Sequence, residues 1–214
     1  MPLPNRVDPF GALHAVSARG LLMGNRGGHF HLPEQALGRR RWASRQWIAC
    51  ICEFRGRHRS VWATGYTELF FLDEVTALAA GHRPCFECRR SDALAFRSLF
   101  GPGNLRAAEI DLVLHRERLG EKLPAPRELP DGVMVAQGGQ AFALRSGYWL
   151  RWSFAGYVPA REPLAPLLLT PPSIVDALAR GYRPMWHPSA QPEPATAPAA
   201  PLPAAAGADR HNRR

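Results

Sequence analysis

The chain contains few cysteines and no long apolar run, and each shortage narrows what the protein can be. No run of about 18 apolar residues occurs in its 214 residues, so the sequence predicts no membrane span. The segment Met1-Pro2-Leu3-Pro4-Asn5 lacks the charged and then apolar pattern of a signal segment, and we expect a cytoplasmic protein. Only four cysteines are present, and in a reducing cytosol clustered cysteines bind metal more often than they form disulfides.

Lysine is nearly absent, so the positive charge is carried by arginine, and it is concentrated in the first part of the chain. The net charge is +9, and among 27 basic residues only Lys122 is a lysine. Residues 1–60 hold ten arginines against three acidic residues. This imbalance is typical of a surface that faces nucleic acid. A GC-rich genome produces the same arginine-rich composition without selection for phosphate binding, so both interpretations stay open.

The densest basic patch combines arginine with tryptophan. It runs from Gly38 to Trp42 as Gly-Arg-Arg-Arg-Trp, and another arginine and tryptophan follow closely. Guanidinium groups bind phosphate and indole rings stack on bases, so the pattern suits a nucleic-acid surface. A solvated loop anchored by a buried tryptophan would show the same pattern. The candidate nucleic-acid-binding residues are Arg26, Arg39, Arg40, Arg41, Arg45, Arg55 and Arg57.

The four cysteines fall into two pairs that favour one metal site. Cys85 and Cys88 form a Cys-x-x-Cys motif, while Cys50 and Cys52 share one face of a predicted strand. Zinc binds four such ligands in a tetrahedron, at about 2.3 Å for sulfur. We predict a zinc site made of all four cysteines. The alternatives are buried thiols without metal, or a site of the second pair, one upstream cysteine and one histidine, which would be His29, His31, His58 or His82.

The segment before the Cys-x-x-Cys motif predicts a short helix with clear end signals. Asp73 suits the N-cap of a helix over 74–80, and Gly81 followed by Pro84 ends it. The same pattern returns a hundred residues later, where residues 175–184 match residues 75–84 but continue without cysteines. We therefore interpret the helix and its glycine stop as scaffold, and the cysteines as the addition.

The pattern of elements indicates an α+β fold, in which a small antiparallel sheet and short helices surround the zinc site and a C-terminal β-meander and helix follow. The glycine-rich segment 24–28 predicts a turn, and strands are predicted over 17–23, 46–54, 58–63 and 66–72. The predicted divisions are an N-terminal arm (1–16), a zinc-bearing α+β region (17–130), a β-meander with a terminal helix (131–189) and a disordered Ala/Pro-rich tail (190–214).

Residues 68–89 resemble part of the zinc-binding module of the Ada DNA-repair family, and the likeness extends over about residues 47–92. The shared pattern is an aromatic strand, a short Ala/Leu-rich helix and a Gly-x-Arg-Pro-Cys-x-x-Cys-Arg run. In that family four thiolates hold zinc, and one upstream cysteine accepts a methyl group from a DNA phosphotriester. The resemblance implies that Cys85 and Cys88 bind zinc, with Cys50 and Cys52 standing for the upstream pair. The whole chain also resembles a bacterial protein family with the same Met-Gly-Asn-Arg-Gly-Gly turn.

The upstream pair departs from the Ada pattern, because one residue separates these cysteines where that family has three. We therefore favour a non-enzymatic zinc protein that binds nucleic acid. Alkyl transfer onto Cys50 or Cys52 is an alternative. Another is a metal-dependent nuclease that uses His29 or His31, His58, Glu53, Glu68 or Glu87. A further alternative is a zinc-stabilised module whose protein-binding patch contains Phe142, Tyr148, Trp149 and Trp152.

Overall fold

A short and completely buried helix, α1 (Glu74–Ala79), lies at the centre of the computed structural model, which describes residues 1–56, 60–63 and 65–191. Its faces contribute to different parts of the core. Leu78 packs among the other helices, Val75 contacts the C-terminal sheet, and Ala77 packs against the N-terminal sheet. Because α1 contacts all three of these parts of the core, its position is fixed. The segment that follows it, which carries the cysteine motif, therefore starts from a fixed point.

The N-terminal sheet has six strands in the order β2-β1-β5-β3-β4-β6. Most neighbours pair antiparallel, while β1 with β5 and β4 with β6 pair parallel. The strands are β1 (Arg6–Val7), β2 (Leu13–His14), β3 (Leu22–Arg26), β4 (Trp47–Ile51), β5 (Leu69–Phe71) and β6 (Arg83–Pro84).

The C-terminal half adds an antiparallel sheet and three helices, which confirms the α+β prediction. The sheet has the strand order β10-β9-β8-β7-β11. Its strands are β7 (Met134–Gln137), β8 (Gln140–Arg145), β9 (Tyr148–Ser153), β10 (Gly156–Pro159) and β11 (Leu167–Leu168). The helices α2 (Arg90–Leu99), α3 (Ala107–Leu119) and α4 (Pro172–Ala179) pack side by side, with Phe96, Leu114 and Ile174 in one cluster.

The predicted cap of α1 is confirmed and is part of a larger network. Asp73 Oδ1 accepts hydrogen bonds from the backbone N–H of Thr76 (2.9 Å) and from the hydroxyl of Tyr157 (3.1 Å). Its Oδ2 accepts from the backbone N–H of His187 (3.0 Å). The N-cap carboxylate therefore ties the start of α1 to the C-terminal sheet and to the last described segment.

The internal sequence match has a structural counterpart at both helix ends. Gly81 has φ +77°, and its N–H donates to Leu78 while the next N–H donates to Ala77. Gly181 has φ +108° and makes the equivalent bonds to Leu178 and Ala177. Both helices thus end with the same left-handed glycine motif, as the shared sequence predicts.

The prediction of a turn over residues 24–28 is only partly right. Gly24 is paired within β3, opposite Ala49 of β4, and the left-handed backbone begins at Gly27. A Cβ atom on Gly24 would lie 2.1 Å from the carbonyl oxygen of Ile48, so this glycine permits a close approach of two strands. Close packing, and not a turn, explains this first glycine.

Other boundaries also differ from expectation. The predicted arm over residues 1–16 contains β1 and β2, because Val7 is completely buried and gives this segment an apolar anchor in the sheet. Of the strand predicted over 58–63, the described residues 60–63 form turns, while 58 and 59 lie outside the described residues. The disordered tail was predicted to begin at residue 190. Ala190 is buried, and the residues from 192 onward lie outside the described ranges. None of the helices in the described ranges has both the length and the apolar character needed to cross a bilayer.

Candidate metal centre

Two parallel strands bring the upstream and downstream cysteines together. In the pairing of β4 with β6, Ala49 lies opposite Pro84, and the N–H of Cys85 donates to the carbonyl of Ala49 (3.0 Å). Cys50 is the next residue of β4, so its side chain stands beside Cys85. Residues 35 positions apart are therefore placed side by side by one parallel ladder.

The Cys-x-x-Cys segment forms a tight turn that aims backbone N–H groups at sulfur. The N–H of Glu87 donates to Cys85 Sγ (3.4 Å), and the N–H of Cys88 also stabilises this sulfur. The N–H of Ile51 stabilises the sulfur of Cys88. The turn closes with the N–H of Arg89 on the carbonyl of Cys85 (3.0 Å), directly before α2. Such N–H groups favour thiolates, the form that binds metal.

The structure brings three of the four cysteines together at a distance that a metal ion can bridge. The sulfur atoms of Cys50, Cys85 and Cys88 all lie within 4.8 Å of one another. In a tetrahedral zinc site with bonds of about 2.3 Å, sulfur atoms are separated by about 3.8 Å. The cluster therefore fits a metal ion with only small adjustments of the side chains.

The three thiols strongly influence one another's pKa values. Hydrogen bonds from Cys50, and then from Cys88, lower the pKa of Cys85. The same hydrogen bond to Cys85, a second to Cys88, and burial raise the pKa of Cys50. The three sulfurs are too close to ionise together, and a divalent cation at their centre would remove that restraint.

Cys52 lies outside the three-cysteine cluster. β4 ends at Ile51, so the alternation that would have aimed Cys52 with Cys50 stops one residue too early. Its exposed thiol donates to the carbonyl of Leu21 (3.5 Å) instead. Within the described ranges, no histidine or carboxylate joins the cluster either, and His58 lies outside those ranges.

Two buried ion pairs hold the Cys-x-x-Cys turn in place, and local sequence patterns did not predict them. Arg83, just before Cys85, makes two 2.8 Å hydrogen bonds to Asp111 of α3. Arg89, just after Cys88, donates to Glu74 of α1 (2.7 Å) and also bonds Asp92. The arginines flanking the motif thus attach the turn to two helices. The only signal for them was the two acidic residues, Glu74 and Asp111, that stand next to apolar residues in α1 and α3.

The candidate arginines are divided between surface and interior. Arg39, Arg40, Arg41, Arg45 and Arg55 are exposed, while Arg57 lies outside the described residues. Arg26 is buried, 1% exposed, and burial lowers its pKa to about 9. Its guanidinium stacks on Trp47 (3.9 Å), whose ring also contacts Arg118 (4.0 Å). Arg26 is therefore a packing residue beneath the loop that carries Arg39, Arg40 and Arg41.

The remaining candidates show ordinary contacts. His31 Nδ1 is hydrogen-bonded to the hydroxyl of Thr67 (2.9 Å) and its ring stacks on Trp62. Glu53 is exposed, whereas Glu68 is buried. In the proposed protein-binding patch, Phe142 and Trp149 pack against the core and Trp152 bonds Thr76, which leaves mainly Tyr148 exposed. Comparisons with protein-family models, with curated proteins and with solved structures found no match.

Proposed function

We propose that the protein binds one zinc ion through Cys50, Cys85 and Cys88. The observation that carries the proposal is the convergence of three sulfur atoms within 4.8 Å, with backbone N–H groups aimed at two of them. Thiolate ligands select soft or borderline metals over magnesium or calcium, and zinc is the usual ion in tight Cys-x-x-Cys turns. When bound, the ion would supply the positive charge that the three thiols lack.

The position of the site suggests what the metal does for the fold. Cys50 belongs to β4, whereas Cys85 and Cys88 join β6 to α2. A bound ion would cross-link the N-terminal sheet to the helical layer. Zinc bound by three protein ligands also leaves one coordination position available, in contrast to a closed structural site.

The likeness to the Ada zinc module remains part of this proposal. The expected aromatic strand, short helix and Gly-x-Arg-Pro stop correspond to β5, α1 and β6. These elements lie directly before Cys85 and Cys88, and we propose that both cysteines bind zinc, as in that family. The upstream contribution to the cluster is Cys50 alone, so we propose the metal site and do not extend the proposal to alkyl transfer.

Zinc titration against a chromophoric chelator at several pH values tests this proposal. We expect one zinc per chain, with an affinity that falls as the pH falls. The reason is that the pKa of Cys50 is raised, so its thiol holds a proton that zinc must displace. For each proton that zinc displaces, the zinc affinity falls by at most tenfold per pH unit, which is about 1.4 kcal/mol of binding free energy. Absence of stoichiometric zinc, or an affinity that does not change with pH, would contradict the proposal.

We also propose nucleic acid as a partner, because the loop that carries Arg39, Arg40, Arg41 and Arg45 exposes charge that no acidic residue of the described ranges neutralises. Arg39, Arg40, Arg41 and Arg45 are exposed, and none of them forms an ion pair with a described residue. The loop precedes β4, whereas Cys50 is near the end of that strand. Trp47 and Cys50 are therefore about 10 Å apart along the strand, which places the loop at the other end from the metal.

DNA and RNA binding measured over a range of salt concentrations tests the second proposal. We expect the affinity to fall steeply as the salt concentration rises. The combined change of Arg39, Arg40 and Arg41 to alanine should reduce the slope of log affinity against log salt concentration by up to about 2.7. The matched control replaces three exposed arginines elsewhere, Arg127, Arg151 and Arg161. A flat salt response, or equal effects of the two triple variants, would count against this partner.

A further inference from the structure

We propose that the metal centre is also the binding site for a small neutral thiol, whose sulfur takes the fourth position on the ion. This inference rests on the proposed zinc site. A cavity of about 220 Å³ adjoins the cluster, and Cys50, Cys85 and Cys88 all contribute to its wall. A fourth ligand on an ion held by these residues would have this cavity beside it.

The number of protein ligands leaves room for an outside donor. Among the described residues, only three ligand atoms meet at the site, and zinc prefers four. Cys52 also lines the cavity, but its thiol is hydrogen-bonded to Leu21. The three thiolates favour a soft metal, and a soft metal in turn favours sulfur as its fourth donor.

The walls of the cavity suit a small, mainly apolar molecule. Ile48, Phe54, Val61 and Phe70 supply apolar and aromatic surface next to the cysteines. Pockets for drug-sized ligands measure about 300–1,000 Å³, so the occupant here is smaller than those.

The charge around the cavity is mixed. Glu68 and Glu87 line it, whereas the guanidinium groups of Arg6 and Arg55 lie 4.7 and 4.9 Å over two of its aromatic rings. Neither sign of charge is therefore favoured, and we expect the thiol to be neutral.

Cobalt-loaded protein offers a direct test, because the visible spectrum of Co²⁺ reports its ligands. The two probes are 2-mercaptoethanol, a small neutral thiol, and ethylene glycol, which has oxygen in place of its sulfur. We expect each addition of the thiol to change the cobalt bands until saturation, and the diol to leave them unchanged. Metal content after dialysis must stay constant, since loss of cobalt would mean that the thiol competes for the metal and would contradict the inference.

Three variants make the test specific to the cavity. Val61→Trp fills the space and should abolish the thiol response while the cobalt bands remain. Val158→Trp, at an exposed position of β10, is the matched control and should respond like the parent. Cys52→Ser should also respond, because its thiol is not the fourth ligand in this proposal.

The outcomes separate this inference from the zinc proposal. Cobalt bands that do not change with the thiol would overturn the inference alone. The same change with both probes, or a full response from Val61→Trp, would do the same. A chain that develops no cobalt bands at all would overturn the metal site itself, and the inference would fall with it.

Discussion

Replacing Cys85 by serine is expected to lower zinc affinity by at least about 100-fold. Loss of a supporting residue around a metal site already costs roughly 10–100-fold, and Cys85 is itself a ligand in this proposal. It is also the most enclosed of the three, 7% exposed, and its sulfur interacts with both other thiols. Chelator competition measures the affinity, and circular dichroism checks that the variant is folded.

Cys52→Ser is the matched control for this prediction. Its thiol is exposed and outside the cluster, so its replacement should leave zinc affinity within about threefold of the parent, as expected for a residue that does not touch the metal. Equal losses in the two variants would support the four-cysteine site that the sequence predicts. No loss in Cys85→Ser would contradict any site at this turn.

Replacing Glu74 by alanine should destabilise the protein by about 3–5 kcal/mol, because it leaves a buried arginine without its main partner. The Glu74 carboxylate is 1% exposed and accepts hydrogen bonds from Arg89 (2.7 Å), from the hydroxyl of Tyr182 (2.7 Å) and from the N–H of Met185 (2.9 Å). Arg89 Nη1 already has no partner within the described part of the chain. Urea denaturation of the zinc-free protein measures the loss without contribution from the metal.

The control for Glu74 is an ion pair that does not matter to the core. Glu109 pairs with Arg106 at the exposed start of α3 and also accepts its backbone N–H (2.7 Å), so its replacement by alanine should cost only the cap of an exposed helix end, much less than the Glu74 change. Glu74→Gln should be intermediate, because the amide retains a hydrogen-bond acceptor but not the charge. Glu74→Ala and Glu109→Ala with the same denaturation midpoint would contradict the assigned role of the buried network.

Local signals predicted one part of the site well. Asp73 as a cap, Gly81 as a helix end and the Cys-x-x-Cys turn all depend on neighbours within a few residues. Such short-range chemistry is visible in a sequence. The meander was predicted as three strands, and β7, β8 and β9 are present, whereas β10 and β11 were hidden in a segment without clear alternation.

Long-range contacts were beyond the sequence. The end of β4 at Ile51 separates Cys50 from Cys52, and only the pairing of this strand with its neighbours determines where it ends. Arg26 was expected on the nucleic-acid surface, but its position opposite Trp47 in the sheet buries it. The ion pair between Arg89 and Glu74 joins residues that no local pattern connects.

X-ray absorption at the zinc edge tests the central claim most directly, because it counts the sulfur atoms on the metal. For purified protein without added thiol, three sulfurs at about 2.3 Å and one lighter donor are expected. Cys52→Ser should give the same spectrum, and Cys50→Ser should lose one sulfur or the metal. Four sulfurs in the parent and three in Cys52→Ser, or a protein that retains no zinc, would contradict the three-cysteine site.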